Sequence, residues 1–260
     1  MKKLQDRDKK TQSFISSNDL TLETFSRNIL YEDNHLLALY KPAGMLTQGD
    51  RSERISLLDL GKEWLRNQYQ KPGKAFLGLL HRLDLPVSGV VLFAKTSKAA
   101  GRLSAQFRNR IIRKIYIAVI HGYLIPPQGD SILYLVRDGM RSSVTTPSHP
   151  RARKAKLSYQ TLQKGDETSL VRIVLATGRR HQIRAQLAAL GHPIIGDRKY
   201  GSTKTLGGKA IALHAYSLTF LHPISKAEIC LKAHVPEIWH GLSGIRIRPQ
   251  KQFEQITSDQ

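Results

Sequence analysis

Asp84 is the side chain in this sequence whose surroundings best suit chemistry. It lies in HRLDLPVSGVVLFAKT (81–96), where a Pro-containing turn joins two apolar segments that are typical of buried strands. A carboxylate buried at such a junction requires a cationic or hydrogen-bonding partner, and Arg82 is one candidate. Aspartate is also a common turn residue, because its side chain readily hydrogen-bonds the nearby backbone. The spacing alone leaves a structural and a functional role for Asp84 open.

The segment TGRRHQIRAQLAALGHPIIGDRKYG (177–201) supplies guanidinium groups. Apolar residues recur at helical spacing from Ile183 and predict a face that packs inward. Arg180 and Arg184 are four residues apart and predict a second, basic face on the same helix. Arginines near a helix N-terminus favour an anion, which is either a phosphate or the Asp84 carboxylate. The alternative is a surface helix whose basic face is solvated.

A second basic segment, PSHPRARKAK (147–156), contains Arg151, Arg153 and Lys154. Closely spaced cations of this kind are typical of contacts with the phosphates of a nucleic acid. The alternative is a solvated loop that leads into a strand, and the sequence does not choose between the two.

Several other chemistries find no support in the sequence. It has ten histidines but no H-E-x-x-H motif and no cysteine pair, so we predict no metal site. It has no glycine-rich nucleotide-binding loop, which argues against an ATP or NAD enzyme. Ser88 lies in V-S-G-V rather than in a G-x-S-x-G motif, which argues against a serine hydrolase.

The charge balance predicts a polyanionic partner. Of 260 residues, 41 are Lys or Arg and 20 are Asp or Glu, which gives a formal net charge of +21. A surplus of this size favours a nucleic acid as the partner. No helix-turn-helix or zinc-finger pattern supports a DNA-binding protein. Because 40% of the residues are hydrophobic, the chain can also bury a substantial core.

The compartment is predicted from Cys230 and from the lack of long apolar segments. A single cysteine permits no intrachain disulfide, which fits a reducing compartment, and we expect it to pack as a small apolar residue. The first residues, MKKLQDRDKK, do not resemble a signal peptide. No window approaches the roughly 20 apolar residues of a membrane span. We therefore expect a cytoplasmic protein, or an organellar one if the source is eukaryotic, without membrane contact.

Strands and a few helices must position these side chains. We predict helices over SLLDLGKEWLRNQY, capped by Ser56, over SKAAGRLSAQFRNR, capped by Thr96 or Ser97, and over HQIRAQLAALG, ending at Gly191. A hairpin is expected around Lys164–Asp166, and a last helical turn in PEIWHGL. The predicted strands are LLALY, FLGLL, VVLFA, RKIYIAVIHGYL, KLSYQTLQ, SLVRIVLAT, ALHAYSLTF and AEICLKAHV. Because helices and strands do not alternate regularly, the predicted fold class is α+β, with a mixed, mainly antiparallel sheet and flanking helices.

Five segments together resemble the RluA family of RNA pseudouridine synthases. H-R-L-D-x-x-x-S-G is followed by G-R-x-H-Q-I-R and G-H-P-I-x-G-D, in the order of the family, from about Ile29 to Pro223. The segments are ILYEDNHLLALYKPAGML, HRLDLPVSGVVLFAKT, RKIYIAVIHG, TGRRHQIRAQLAALGHPIIGDRKYG and LHAYSLTFLHP. The resemblance implies a pseudouridine synthase fold with a basic cleft. The catalytic domain would cover 29–245, between a flexible polar arm over 1–28 and a polar tail over 246–260.

The resemblance also implies a role for individual residues. Asp84 would be the catalytic aspartate, and Arg82 would enter the space that the target nucleotide leaves when it flips out. Tyr116 would pack against the uracil and help to move a proton, although by pattern alone it could be an ordinary strand residue. Arg184 would pair with Asp84 through its opposite charge, and Ile183 would form an apolar wall beside the base.

In this family the reaction detaches uracil from C1′, turns it and rejoins it through C5, so the base must leave its stack. The aspartate either attacks covalently or stabilises charge while a C2′ proton is lost, and the sequence does not choose. No cofactor is implied, and we expect a monomer that acts on a uridine of rRNA or tRNA. Arg180 and the three cations of the segment 147–156 would hold the RNA. The rival interpretation is a noncatalytic RNA-binding or ribosome-assembly protein on the same scaffold.

Two features depart from the family pattern. Val87 follows Pro86 at a position where the family often has a threonine, so a hydroxyl is absent and the turn is stiffer. We expect this change to alter loop contacts with RNA rather than the chemistry. The roughly 28 residues before Ile29 contain no S4-type RNA-binding module. We therefore expect RNA affinity to come from the basic surface of the catalytic domain itself.

Overall fold

The computed structural model describes residues 16–239 and 242–245. The chain divides into two compact units. The first unit contains the residues up to Arg113 and Ser217–Ala233, and the second contains Lys114–Tyr216 and the residues from His234 onward. One domain was predicted from the sequence pattern, which did not separate these two units.

The described residues form three α-helices, eleven strands and four short 3₁₀ helices. The α-helices are α1 (Leu57–Gln68), α2 (Ser97–Arg108) and α3 (Gln182–Ala189). The strands are β1 (Ile29–Glu32), β2 (Leu36–Lys41), β3 (Gly78–Leu79), β4 (Ser88–Ala94), β5 (Arg113–His121), β6 (Gln128–Asp138), β7 (Arg141–Thr145), β8 (Arg153–Lys164), β9 (Thr168–Leu175), β10 (Leu213–Leu221) and β11 (Glu228–Lys232). The 3₁₀ helices are Phe25–Asn28, Arg198–Tyr200, Glu237–Trp239 and Leu242–Gly244. In this part of the chain, no helix has the length and apolar character that a membrane crossing needs.

Local sequence signals set where α1 and α2 begin. Ser56 accepts a hydrogen bond from the backbone N–H of Asp59 at 3.3 Å, and Asp59 accepts one from the backbone N–H of Ser56 at 3.2 Å. Thr96 accepts from the backbone N–H of Ala99 at 3.2 Å. These bonds satisfy N–H groups that the first helical turn leaves without partners. The predicted cap at Ser56 is confirmed, and Thr96 rather than Ser97 caps α2.

The core of the first unit is built around β2 and β4. Both strands are buried along their whole length and pair antiparallel. β1 pairs with β2, β3 pairs with β4, and the Ser217–Leu221 part of β10 pairs with β11. Ala99 and Leu103 of α2 pack into the same apolar cluster. The continuous apolar runs noted in the sequence are what strands without a solvent face require.

The chain returns to the first unit late in the sequence and is fixed there by polar contacts. His222 Nε2 lies 2.9 Å from Asp33 Oδ2, although the two residues are 189 positions apart. Gln106 donates to the carbonyl of Leu221 at 2.7 Å and accepts from its N–H at 3.0 Å. Leu218 and Phe220 complete the apolar cluster. The first unit therefore depends on Ser217–Ala233 for both its core and its polar contacts.

Five strands of the second unit pair antiparallel in the order β5–β9–β8–β6–β7. The predicted hairpin between β8 and β9 is confirmed, and its turn closes with a 2.8 Å hydrogen bond from Gly165 N–H to the Thr168 carbonyl. The hairpin between β6 and β7 is not among the predicted strands. It turns at Gly139, whose φ of 50° lies in the left-handed region. α3 packs against β6 and β7, so this hairpin helps to bury the helix.

Two predictions about the burial of single segments are wrong. In FLGLL only Gly78–Leu79 forms a strand, and both residues are half-buried, because they pair only with the last two residues of β4. Cys230 is exposed rather than packed. Successive side chains of a strand alternate between its faces. Cys230 therefore shares the exposed face of β11 with Glu228 and Lys232, whereas Leu231 is buried.

Packed structure also begins earlier than the sequence pattern predicts. Leu20 and Phe25 are buried, and the ring of Phe25 lies 5.6 Å from that of Trp64 in α1. Residues 16–28 therefore do not form a loose arm, because their apolar side chains have a core to enter. The remaining parts of the predicted arm and tail, residues 1–15 and 246–260, lie outside the described residues.

Candidate active site

Asp84 lies on the loop between β3 and β4 and is half-buried. Its main-chain carbonyl accepts a hydrogen bond from the N–H of Val87 at 3.0 Å, which closes a turn over Leu85 and Pro86. This bond is between main-chain atoms and does not use the carboxylate. Val87 is buried, so an apolar side chain suits the position where the family often has a hydroxyl.

The loop after β2 fixes the backbone on both sides of Asp84. The buried hydroxyl of Thr47 donates to the carbonyl of Leu83 at 2.9 Å and accepts from the N–H of Leu83 at 3.2 Å. The N–H of Gly44 donates to the carbonyl of Leu85 at 2.8 Å. Gly44 has a φ of 87°, a conformation that a side chain would strain. Because Leu83 and Leu85 are both held, the backbone of Asp84 between them has a fixed position.

Lys41 ends β2 and is completely buried. Its ammonium group donates to the carbonyls of Pro42 and Met45, both at 2.9 Å, and of Leu85 at 3.3 Å. Burial lowers the pKa of Lys41 to about 7, and the negative charge of Asp84 acts in the opposite direction. Lys41 therefore ties the loop after β2 to the residue that follows Asp84. Sequence reasoning missed it, although a lysine at the end of an apolar strand is a visible signal.

Arg82 is exposed, whereas its neighbour His81 anchors the same loop. His81 Nε2 accepts a hydrogen bond from the N–H of Leu92 in β4 at 3.0 Å, and its ring lies 5.1 Å from that of Phe107 in α2. An exposed guanidinium on an anchored loop fits a contact with RNA. It fits an ordinary surface arginine equally well.

Arg184 is buried and forms a bidentate ion pair with Asp197. Its Nε lies 2.6 Å from Oδ2 of Asp197, and its Nη2 lies 2.8 Å from Oδ1. The centroid of the Tyr200 ring lies 4.9 Å from the guanidinium carbon. The predicted basic face of α3 is wrong, because residues 182–187 of this helix are all buried. Arg184 does bind an anion, the Asp197 carboxylate, and its pairing with Asp84 stays a prediction.

Arg180 lies before the first turn of α3, so it does not share a helical face with Arg184. Its exposed guanidinium donates to the carbonyls of Gly139 at 3.2 Å and Met140 at 3.4 Å, in the turn between β6 and β7. Ile183, in the first turn of α3, is buried. Ile183 is therefore an apolar side chain packed inside the protein, whereas Arg180 is a cation at the surface.

Tyr116 lies in β5, opposite Ile173 of β9. It is half-buried, whereas Ile115 and Ile117 on the other face of the strand are buried. A phenol with partial access to solvent meets one requirement for contact with a uracil ring. The same position is also that of an ordinary strand residue, as the sequence pattern allowed.

The predicted basic segment spans a turn and the start of a strand. Arg151 lies in the turn, Arg153 and Lys154 open β8, and all three side chains are exposed. Lys156, two residues further, pairs with Asp130 at 2.9 Å. Part of the segment is therefore a solvated strand entry, and contact of the three exposed cations with phosphate stays a prediction.

The two predicted residues of the Asp84 loop lie in the first unit, and the other predicted residues lie in the second. Sequence reasoning missed three buried residues that hold functional candidates or their loops: Lys41, Thr47 and Asp197. In the ranges 16–239 and 242–245, no group of three or more His, Cys, Asp or Glu side chains is arranged to hold a metal ion.

Comparison with known proteins identifies relatives along most of the chain. The sequence profile of the family described as RNA pseudouridylate synthase matches residues 35–189. The tRNA pseudouridine synthase C of Pasteurella multocida is 34% identical over 239 residues, which cover 84% of this chain and 95% of the relative. The dual-specificity RNA pseudouridine synthase RluA of Vibrio vulnificus is 33% identical over 204 residues, which cover 76% of this chain and 78% of the relative.

The fold also matches a solved structure. Human RNA pseudouridylate synthase domain containing 4 superposes with a TM-score of 0.71, over 84% of this chain and 92% of that one. The two sequences are 24% identical, so this match concerns the fold. The predicted α+β pseudouridine synthase fold is confirmed.

Proposed function

The chain belongs to the RNA pseudouridylate synthase family, whose members are isomerases that modify RNA, and from this premise we propose that it converts uridine in rRNA or tRNA to pseudouridine with Asp84 as the catalytic residue. The observation that carries this assignment is the loop of Asp84. Thr47 and Lys41 bind the main chain directly before and after the aspartate. A side chain on a fixed backbone is suited to a reaction that depends on position.

The reaction breaks the bond between N1 of uracil and C1′ of ribose and forms a bond between C5 and C1′. N1 gains a proton and C5 loses one, so the nucleotide keeps its atomic composition. Asp84 would either attack C1′ covalently or stabilise charge while a proton leaves C2′. Both routes require a carboxylate beside the ribose, and both are compatible with the half-buried position of this side chain.

We assign the surroundings of the uracil to Arg184, Tyr116 and Ile183. Asp197 orients the guanidinium of Arg184 through two hydrogen bonds. A guanidinium carries five N–H donors, so it can serve a second carboxylate such as Asp84. Tyr116 would pack against the base and move a proton, and the buried Ile183 would form an apolar wall.

Base flipping needs a group that fills the vacated stack and a surface that holds the phosphates. We assign the first role to Arg82 and the second to Arg180, Arg151, Arg153 and Lys154. Their exposure supports this assignment. The net charge of +21 supports a large electrostatic contribution to RNA binding.

The names of the relatives support tRNA among the candidate substrates, since one is a tRNA pseudouridine synthase and another a dual-specificity RNA pseudouridine synthase. We propose that the protein acts as a monomer in the cytoplasm. We also propose that it needs no cofactor, because the isomerisation needs no external oxidant, reductant or group donor.

The test is the release of tritium from RNA labelled at C5 of uracil. Total tRNA and total rRNA from a strain that lacks the gene are incubated separately with wild type, Asp84→Asn and the control Asp130→Asn. Asp130 is an exposed carboxylate of the second unit. We expect release by wild type and by the control, none by Asp84→Asn, and nearly equal RNA binding by all three, because binding rests on Lys and Arg.

Each outcome assigns a role to Asp84. Release that persists in a folded Asp84→Asn protein would show that this carboxylate is not catalytic. Loss of folding in that variant would make its role structural. No release from either RNA pool by wild type, despite tight RNA binding, would favour a noncatalytic RNA-binding protein on the same scaffold.

A further inference from the structure

The second unit contains a basic pocket to which the proposed reaction gives no role. Its volume is about 450 Å³. Three cationic residues line it, Arg141, Arg198 and Lys199. Three apolar residues line another part of it, Val144, Ala185 and Ala189. The pocket thus combines a cationic wall with small apolar groups that leave room for a ligand.

Tyr200 holds two of these cations near each other. Its hydroxyl accepts a hydrogen bond from the N–H of Ser142 at 2.9 Å and donates to the carbonyl of Ser142 at 3.2 Å. Arg141 directly precedes Ser142, and Lys199 directly precedes Tyr200. The ammonium of Lys199 also donates to the carbonyl of Met140, the residue before Arg141. These bonds hold the main chain on both sides of Arg141 close to Lys199 and Tyr200.

The electrostatics of Lys199 reflect this crowding. Burial lowers its pKa, and the positive charges of Arg184, Arg180 and Arg141 lower it further. Asp197 acts in the opposite direction. The carboxylate of Asp197 already accepts two hydrogen bonds from Arg184, so the site keeps an excess of positive charge.

The cations of the pocket also differ from others in the second unit. Lys156 pairs with Asp130 and Lys204 pairs with Glu167, both at 2.9 Å. Across the described ranges of the chain, the three cations of the pocket have no carboxylate oxygen within 4.0 Å. Like charges that are held together without a counterion are stabilised when an anion binds.

We propose that this pocket binds a backbone phosphate of the RNA, with Arg141, Arg198 and Lys199 as its ligands. The proposal rests on the proposed function, which makes RNA the polyanion that this enzyme meets. Guanidinium groups bind phosphate oxygens through paired hydrogen bonds, and the ammonium adds a point charge. The apolar wall suits the less polar face of a ribose. Such a contact positions the RNA without reading its sequence.

The test is the salt dependence of RNA binding by the full chain. Wild type is compared with the double variant Arg198→Gln/Lys199→Gln and with the control Lys62→Gln/Lys209→Gln, whose two lysines are exposed and lie outside the pocket. Each phosphate contact adds about 0.7 to 0.9 to the slope of log K against log salt. Because the pocket holds one phosphate, we expect the double variant to lower this slope by about 0.7 to 0.9 and the control to leave it unchanged. Arg141→Gln alone should also lower the slope, by no more than about 0.9, because it removes one ligand of the same phosphate.

Turnover gives a second readout. If the pocket holds RNA equally in the ground state and the transition state, the double variant raises KM and leaves kcat unchanged. If the double variant has the same salt slope as the control, the proposal that the pocket binds an RNA phosphate is wrong, even when tritium is released normally. If inorganic phosphate stabilises wild type against heat but not the double variant, and the RNA slope is unchanged, the pocket binds free phosphate and the RNA assignment fails. A lowered slope without tritium release by wild type would overturn the proposed isomerase and leave the phosphate site standing.

Discussion

Arg184 and Asp197 form a buried ion pair in which two nitrogens of the guanidinium meet both carboxylate oxygens. The two side chains are only 5% and 1% exposed. An ion pair at this depth is costly to break, because either charge alone would lack both water and a partner. The guanidinium that we assign to the uracil site is thus oriented before any RNA binds.

Replacing Asp197 should therefore destabilise the protein. Asp197→Asn keeps the shape of the side chain but removes the charge that neutralises Arg184. We expect the free energy of unfolding in urea to fall by roughly 3–5 kcal/mol. Asp130→Asn, which breaks an exposed pair with Lys156, should change it little. Equal losses in the two variants would show that the buried pair is not an important source of stability.

Replacing Thr47 should move Asp84 without touching it. Thr47→Val leaves the N–H and the carbonyl of Leu83 without their buried partner, which should cost about 1–3 kcal/mol in the free energy of unfolding. Because the loop then loses one of its attachments, we expect kcat to fall more than RNA affinity. Thr47→Ser retains the hydroxyl, so its free energy of unfolding and its kcat should both stay close to those of wild type. Normal kcat in Thr47→Val would mean that this contact does not position the aspartate.

Lys41 should make stability depend on pH. Its folded pKa of about 7 lies below the ordinary value of 10.5. Between these values the unfolded chain binds more protons, so the free energy of unfolding rises with pH, by up to about 1.4 kcal/mol per unit. Below the folded pKa, Lys41 is protonated in both the folded and the unfolded state, so it no longer makes the free energy of unfolding depend on pH.

The measurement is the difference in unfolding free energy between wild type and Lys41→Met in urea. The value for wild type minus the value for Lys41→Met should increase from pH 7 towards pH 10, because only wild type has the ammonium that titrates. The same difference measured with Lys62→Met, a substitution at an exposed position, should not change with pH. A flat difference for Lys41→Met as well would show that the buried lysine titrates normally.

Tyr116→Phe separates the two roles proposed for the phenol. The ring remains and can still pack against the uracil, whereas the hydroxyl is lost. If the hydroxyl moves a proton in the reaction, kcat should fall by about 10²-fold or more, with RNA affinity unchanged. Tritium release under single-turnover conditions measures this step. A rate close to that of wild type would leave packing as the only role of Tyr116.

Elements whose causes are local were predictable from the sequence. The caps at Ser56 and Thr96 depend on residues within three positions, and so does the hairpin turn at Gly165. The end of α3 follows from Gly191, whose φ of 84° suits a residue without a side chain. In each case a short pattern contains the whole physical reason for the structure.

Features that depend on distant partners were not predictable. The spacing of Arg180 and Arg184 indicated a basic helical face, because nothing in a periodic pattern shows that Asp197 comes back to meet Arg184. The hairpin of β6 and β7 was missed for another reason. Ile132 and Val144 are 48% and 45% exposed, so apolar and polar residues in these strands do not alternate with burial.

The late return of the chain to the first unit has a consequence for synthesis on the ribosome. When residue 113 emerges, the apolar cluster of this unit still lacks Leu218 and Phe220, and Asp33 lacks His222. The missing segment arrives only after roughly 100 further residues, those of Lys114–Tyr216, have been translated. The second unit has its main segment complete by then. The nascent first unit must therefore keep an unfinished apolar surface out of non-native contacts until its last two strands are made.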